Sequence, residues 1–247
     1  MAYSRSKLDK YRVMRHSPTL RSHLPSTRPL NKDNLEAYLD RYRKVIVKPT
    51  STSLGIGVMQ VSRLSGNKYE IHYGSRKKTV YSISDVYHYI RSKARGRRYL
   101  VQRRIALAKV GGRPFDLRVM VQRGRSSSWK VTGKLAKVAG SGYIITNIHR
   151  SGGRVIPAKT AIHRSNIRGV RTGRILRTVD RVALRAAKTL YRSYRWIHSV
   201  GLDIGVDLKG KVWIIEGNFK PDITLFLKLK SKSMYRQIAS YEKKAKR

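Results

Sequence analysis

The chain contains no cysteine. A disulfide framework, a thiolate metal site and a cysteine nucleophile are therefore excluded. Acid is scarce too, with 13 Asp and Glu against 56 Lys and Arg and a net charge of +43. Such a charge opposes compaction by self-repulsion and draws polyanions at low salt, without implying sequence-specific recognition. The 7 histidines form no close metal-binding pair, so zinc is not expected. No run approaches the roughly 20 apolar residues that span a bilayer. Met1–Lys7 is charged and lacks an apolar core, so nothing directs export and a cytoplasmic location is expected.

What remains is enough to fold. A length of 247 residues, 40% of them apolar, with 15 tyrosines, suits one large domain or two small ones with a sizeable core. Strand-prone runs are interspersed with helical stripes, an α+β pattern without repeats or a domain-sized linker.

The little acid there is gathers in one place, since Asp203, Asp207, Glu216 and Asp222 all fall within 201–222. Leu202–Ile204 and Val212–Glu216 are β-prone runs joined by Lys209-Gly210, which predicts an antiparallel hairpin. Glu216 and Asn218, two apart, share one face of an extended strand. If Asp203 lies opposite them, two carboxylates and an amide oxygen converge, a donor set suited to Mg²⁺. The alternative is a surface hairpin whose acids pair with nearby Lys and Arg.

Along the chain, helices are expected at 4–15, from Asn31 with Leu35, Leu39 and Tyr42 on one stripe, and from Ser84-Asp85 to about Lys93. Val45–Lys48 reads as a short strand, followed by a hydroxyl- and glycine-rich loop, Pro49–Gly57. That loop is either a phosphate cradle beside Lys48 or a plain hairpin turn, and its spacing is not that of a Walker loop. Hairpins are expected at 68–81 and again from Phe115 to about Thr132. In Phe115–Val121 the residues Asp116 and Arg118 share a face, which is either solvated or inward with Arg118 on a phosphate. Residues 158–176 read as irregular and basic. A helix is predicted at 178–199, capped by Thr178, with Val179, Val182, Ala186 and Leu190 on one face. Arg181, Arg185, Lys188, Arg192 and Arg195 lie on the other, either solvated or contacting a polyanion. A last helix starts at Ser231 or Ser233.

Taken together and in order, LPSTRPL at 24–30, KPTSTSLGIGV at 48–58, RPFDLRVMVQ at 113–122, KVAGSGYIITNIHRSGG at 137–153 and GLDIGVDLKGKVWIIEGNFKPD at 201–222 resemble the ATP-grasp superfamily, and within it the spore-coat-associated YheC/YheD type. The resemblance covers residues 5–230 and implies two α+β subdomains clamping ATP. About 40–105 would be the smaller, lid-bearing one and about 106–230 the metal-binding one, leaving 231–247 as a basic helix and tail.

The resemblance assigns Lys10 and Lys48 to the nucleotide phosphates and Ser51, Ser53, Gly55 and Gly57 to the lid over them. Gln102, Arg103, Arg104 and Ile105 become the hinge strand that reads adenine, Arg118 faces the γ-phosphate or acyl-phosphate, and Asn147 lies close to the metal–phosphate cluster. Asp203, Glu216 and Asn218 match the Mg²⁺ ligands. Two departures stand out. The stretch 102–112 has no acid to hold a ribose, and no N-terminal domain precedes the match, so a partner protein or the substrate is expected to complete the site.

The function so implied is an ATP- and Mg²⁺-dependent carboxylate–amine or carboxylate–thiol ligase acting through an acyl-phosphate, on an acidic small molecule, peptide or polymer. A spore-associated structural protein that binds nucleic acid or another polyanion, and a kinase on the same scaffold, are the alternatives.

Overall fold

The structure, a computed structural model, describes residues 6–52, 55–125, 127–143 and 152–246. Helix α1 (Lys7–Arg15) opens where Ser6 accepts a hydrogen bond from the Asp9 amide, and α2 (Pro18–Arg21) follows after one turn. The segment around Pro25 and Pro29, which carried no strand signal, holds β1 (Thr27–Pro29). Asn31 caps α3 (Lys32–Tyr42) through the Asn34 amide, as its position before the apolar stripe predicts.

Strands β2 (Lys44–Pro49), β3 (Met59–Arg63), β4 (Tyr69–Tyr73) and β5 (Arg76–Val80) then run as an antiparallel meander. Helix α4 (Ile83–Ala94) is capped two residues earlier than expected, by Ser82 instead of Ser84, because the Ser82 hydroxyl takes the Asp85 amide. Strand β6 (Tyr99–Arg103) inserts between β1 and β2, giving a sheet ordered β1-β6-β2-β3-β4-β5. One face of this sheet is covered by α3 and α4, with Leu35, Leu39, Val86 and Ile90 buried against Val45, Val61, Ile71 and Val101. The other face is left open.

The second sheet is built from β7 (Lys109–Val110), β8 (Arg113–Gln122), β9 (Lys130–Val138) and β10 (Arg154–Pro157), and from a late hairpin described below. Residues 158–176, expected to be irregular, contain α5 (Ala158–His163) and the first turn of α6 (Thr172–Ser193). The predicted 178–199 helix is thus displaced toward the N-terminus. Thr178 does not cap it; its hydroxyl donates to the Arg174 carbonyl inside the helix. The Tyr194 amide closes the last turn on Leu190, and Ile197 packs from the connection instead.

The hairpin predicted at 201–221 is present as β11 (Ser199–Val206) and β12 (Val212–Asn218), giving the order β10-β9-β8-β11-β12 with β7 on β8. Its turn is held by Asp207, which accepts from the Lys209 and Lys211 amides and from the Trp213 indole, while Gly210 takes a left-handed φ. A 3₁₀ turn, Thr224–Lys228, leads to α7 (Ser233–Lys246).

The two faces of this sheet have different fates. One carries Phe115, Leu117, Val119, Ala136, Leu202 and Ile204 into the largest core, beneath α1, α5 and α6. On the other, Met120 and Leu135 are covered by Phe226 and by Ile238 of α7. Gly133 lets α7 in, since a Cβ there would meet Ile238 and Phe226 at 2.8 and 2.9 Å. The rest of that second face, with Asp116 and Arg118, looks across at the open face of the first sheet.

Candidate active site

A cleft of about 1120 Å³ separates the two facing sheets. On the first sheet, Gln102, Ile46, Gln60 and His72 are successive Cα partners across β6, β2, β3 and β4, so they form one row on the cleft wall. Arg103, Arg104 and Ile105 continue the wall beyond β6. From the second sheet come Asp116 and Arg118 of β8, Lys137 of β9, Asp203 of β11, and Glu216 and Asn218 of β12. The open choice for Phe115–Val121 is thereby settled, because the Asp116–Arg118 face is inward.

Four of these charges are deeply buried: Lys48, Asp116, Arg118 and Lys137 are between 5% and 8% exposed. Charge at such depth has to be paired. Asp203 accepts from Arg118 Nε at 2.9 Å and Lys137 Nζ at 2.9 Å, and Lys137 also lies 3.1 Å from Asp116. Burial alone would raise the Asp203 pKa, but Arg118 and Lys137 outweigh it and hold the carboxyl well below the usual range. In return, against burial that favours the neutral form, Asp116 and Asp203 keep Lys137 protonated above its ordinary value, and Asp203 does the same for Arg118.

Lys48 is different. Its Nζ donates to the Gln102 side-chain oxygen at 3.0 Å and to the Ile215 carbonyl at 3.3 Å, and it has no salt bridge among the described residues. Burial depresses its pKa to about 8, with Glu216 opposing the shift. Gln102 is itself held by donating to Thr27 Oγ1 at 2.8 Å, so β1 positions the glutamine and the glutamine positions the lysine.

Asp203 and Glu216 are directly opposed Cα partners, and Asn218 follows on the same strand. Glu216 has Lys7 at 3.4 Å, and the Lys7 ammonium also donates to the Thr52 carbonyl in the loop after β2, joining that loop to the hairpin. In that loop Gly55 and Gly57 both take left-handed φ angles of 68° and 77°. Thr52, Gly55 and Val58 line the cleft. Ser51 is exposed, and Gly57 packs against Tyr99 and Pro49 instead of on the wall. Ser53 and Asn147 lie outside the described residues.

Lys10 is not brought to the large cleft. It is buried in a small adjoining cavity with Tyr11, Met14 and Leu100, its ammonium 4.9 Å from the Phe219 ring. Burial lowers its pKa, with Glu216 opposing. The lysine that reaches Glu216 is Lys7, one helical turn earlier.

Among the described residues no three His, Cys, Asp or Glu side chains cluster for a metal ion. Any cation here would use two carboxylates, Asp203 and Glu216, with the Asn218 amide. These are hard oxygen donors on the wall of a positively lined cleft, and they fit Mg²⁺ completed by phosphate oxygens and water better than a transition metal.

Sequence reasoning missed Lys7, Lys137, Gln60 and His72, and gave Asp116 no role beyond sharing the face of Arg118. Lys137 carried a usable signal, for it is the Cα partner of Asp116 on β9, a charge set among apolar neighbours. The polar row of Gln60 and His72 gave none, since β3 and β4 read only as alternating strands.

A two-sheet cleft with a glycine-bearing loop at its rim and this charge arrangement meets a matching family model, YheC/D like ATP-grasp, over residues 3–243. The chain belongs to that family. An ATP-grasp relative, the endospore coat-associated protein YheD of Bacillus subtilis (strain 168), is 28% identical over 190 residues, which are 75% of this chain and 41% of YheD. This chain thus spans less than half the length of that relative.

Among solved structures, the ATP-grasp fold is shared with N5-carboxyaminoimidazole synthase from Aspergillus clavatus, in complex with ADP and 5-aminoimidazole ribonucleotide. The TM-score is 0.55 at 11% identity, covering 98% of this chain and 51% of that one. The C-terminal domain of K. lactis Pby1, an ATP-grasp enzyme interacting with an mRNA decapping enzyme, gives a TM-score of 0.50 at 17% identity, covering 94% and 67%. At such identities the likeness is one of fold. ATP-grasp membership carries nucleotide binding and, in general, ATP-dependent ligation. Among the described residues no helix is long and apolar enough to cross a membrane.

Proposed function

We propose that this chain is an ATP- and Mg²⁺-dependent ligase that activates a carboxylate as an acyl-phosphate and joins it to an amine or thiol. The observation that carries the reading is the opposed pair Asp203 and Glu216, with Arg118 beside Asp203 on the same sheet and Lys48 facing them from the other side of the cleft. Asp203, Glu216 and Asn218 would hold Mg²⁺, which when bound would supply positive charge to offset that of the nucleotide phosphates. Backbone groups at Arg103, Arg104 and Ile105 would take the base, and Thr52 and Gly55 would close over the phosphates.

The chemistry needs little acid–base work from the protein. A substrate carboxylate oxygen attacks the γ-phosphorus, the bond from that phosphorus to the bridging oxygen breaks, and ADP leaves. The amine or thiol then attacks the acyl carbon and phosphate departs with the C–O electron pair. Lys48 and Arg118 offset charge on the transferring phosphoryl group, and Gln102 fixes Lys48 for that task. Lys137, with Arg118, keeps Asp203 ionised. The basic cleft favours an acidic acceptor, and the YheD likeness supports an association with the spore coat.

Purified protein with Mg²⁺ and ATP, presented with pools of amino acids, acidic peptides and polymer precursors, is expected to release ADP and free phosphate with one pool. Glu216→Gln should abolish that release while leaving the thermal transition in place. Turnover retained in the variant, or a phosphate ester formed without free phosphate, overturns the ligase reading.

A further inference from the structure

Outside the cleft, α6 carries a ridge of positive charge that the ligase chemistry does not use. Arg174, Arg177, Arg181, Arg185, Lys188 and Arg192 follow one another at three- and four-residue steps, all exposed, on the face opposite the buried Ile175, Val179, Val182, Ala186 and Leu190. Steps of that size keep every cation on one stripe. From the first to the last is about 27 Å at the helical rise of about 1.5 Å per residue.

Among the described residues no carboxylate neutralises this ridge. The only carboxylate of α6, Asp180, is on its flank and is taken by Lys134 at 2.6 Å. Among the described residues none of the six cations pairs with an acid. Like charges at such spacing destabilise a helix by about 0.2–0.5 kcal/mol per pair. Arg195, just beyond the helix, extends the line by stacking its guanidinium 5.2 Å from the Tyr191 ring. The helix tolerates the repulsion because its apolar face is anchored in the largest core.

We propose that this ridge is a docking surface for double-stranded nucleic acid, gripping the phosphate backbone without reading sequence. Three features select that partner. Five of the six ridge cations are arginines, whose planar fork suits phosphate oxygens and sheds its hydration more readily than an ammonium. A straight, anchored helix matches a stiff duplex, which presents about one charge per 1.7 Å of axis and stays straight over about 150 base pairs. A flexible polycarboxylate would have to be ordered along the same line at an entropic cost. Single strands are disfavoured, because no aromatic residue stands among the six cations and the flanking Tyr191 ring is already engaged by Trp129, Arg123 and Arg195.

The test compares two triple variants of equal net charge for binding to a labelled 20-base-pair DNA duplex across a salt series. Arg177→Glu/Arg181→Glu/Arg185→Glu removes the ridge. Lys68→Glu/Arg76→Glu/Arg91→Glu removes exposed cations from the first sheet and α4. The ridge variant is expected to lose at least tenfold in affinity and to flatten the log–log salt slope by about 2–3, at about 0.9 per phosphate contact. The control should change by less than threefold, and both should keep the parent's helical circular dichroism. Equal losses in the two variants would reduce the ridge to part of a general field and sink the proposal. So would tighter binding of a single strand, or competition by poly-L-glutamate as strong as by unlabelled duplex at equal charge concentration.

Discussion

Lys137 Nζ lies 2.9 Å from an Asp203 carboxylate oxygen, and the same carboxylate takes Arg118 Nε at 2.9 Å. With Asp116 added, two acids and two cations close a balanced set deep in the cleft. Removing one charge leaves its partners buried and uncompensated. Asp203→Asn is therefore expected to cost about 3–5 kcal/mol, read as a lower urea midpoint at pH 7 with unchanged slope. Because the folded Asp203 carboxyl is held below its unfolded value, its stabilisation is present at neutral pH and lost as pH falls through the carboxylate range and below. The deficit of Asp203→Asn relative to the parent should accordingly shrink in acid. A deficit unchanged down to pH 3 would contradict the pairing.

Lys48 titrates in an accessible window. Its folded pKa of about 8 lies below the ordinary lysine value, so between the two the unfolded chain holds the extra proton. This lysine's contribution to stability is least favourable below about pH 8 and improves as pH rises above it. Nucleotide binding should run the other way, since only the ammonium neutralises phosphate. ADP affinity is expected to fall above about pH 8 and binding there to take up protons, seen by calorimetry in buffers of different ionisation enthalpy. Lys48→Arg should flatten the profile. Gln102→Leu, which removes the acceptor 3.0 Å from Nζ, should shift the fall to lower pH. A pH-independent affinity in the parent would remove Lys48 from the phosphate site.

Gly201 faces a rigid neighbour. A Cβ at this position would stand 2.4 Å from the Pro221 Cβ and 3.5 Å from the Arg118 side chain. Proline cannot swing aside as a flexible side chain would, so the segment after Asn218 has to move. Gly201→Ala should cost about 1–3 kcal/mol by overpacking and weaken Mg²⁺-dependent ADP binding more than metal-free binding. The stability term is read by denaturation and the second by titration with and without Mg²⁺. Parent-like behaviour in both would mean that Pro221 is not fixed.

The hairpin at 201–221 was legible in the sequence because its signals were local: two β-prone runs, a Gly turn, and alternation that set Glu216 and Asn218 on one face. Lys48 and Arg118 were legible for the same reason, as charges beside recognisable runs. What local reading could not supply was which charges meet across the chain. Lys137 pairs with an acid 66 positions away, and Lys48 is oriented by a glutamine 54 positions away. On α1 the resemblance pointed to Lys10, whereas the helix turns Lys7 to Glu216 and buries Lys10 beside Phe219. The start of α6 was hidden by Arg174 and Arg177, which interrupt the apolar text without interrupting its stripe. Strand β1 was hidden by two prolines, and it forms at an edge of the first sheet, where a missing amide is tolerated.

Gly57 tests the lid. Its φ of +77° belongs to the left-handed region, and a Cβ would stand 2.5 Å from the Tyr99 hydroxyl and 2.8 Å from Pro49 Cγ. Gly57→Ala therefore meets two separate obstacles, backbone strain of about 1–2 kcal/mol and a clash. Tyr99→Phe removes one contact but neither the φ strain nor the Pro49 contact, so adding it should restore only part of the loss. If the lid covers phosphates, moving its anchor should weaken ADP binding while leaving adenosine, which has no phosphates, bound as before. Equal weakening of both ligands in calorimetric titrations would place the effect on the whole cleft and not on the phosphate cover. Full recovery in the double variant would assign the cost to the tyrosine contact alone.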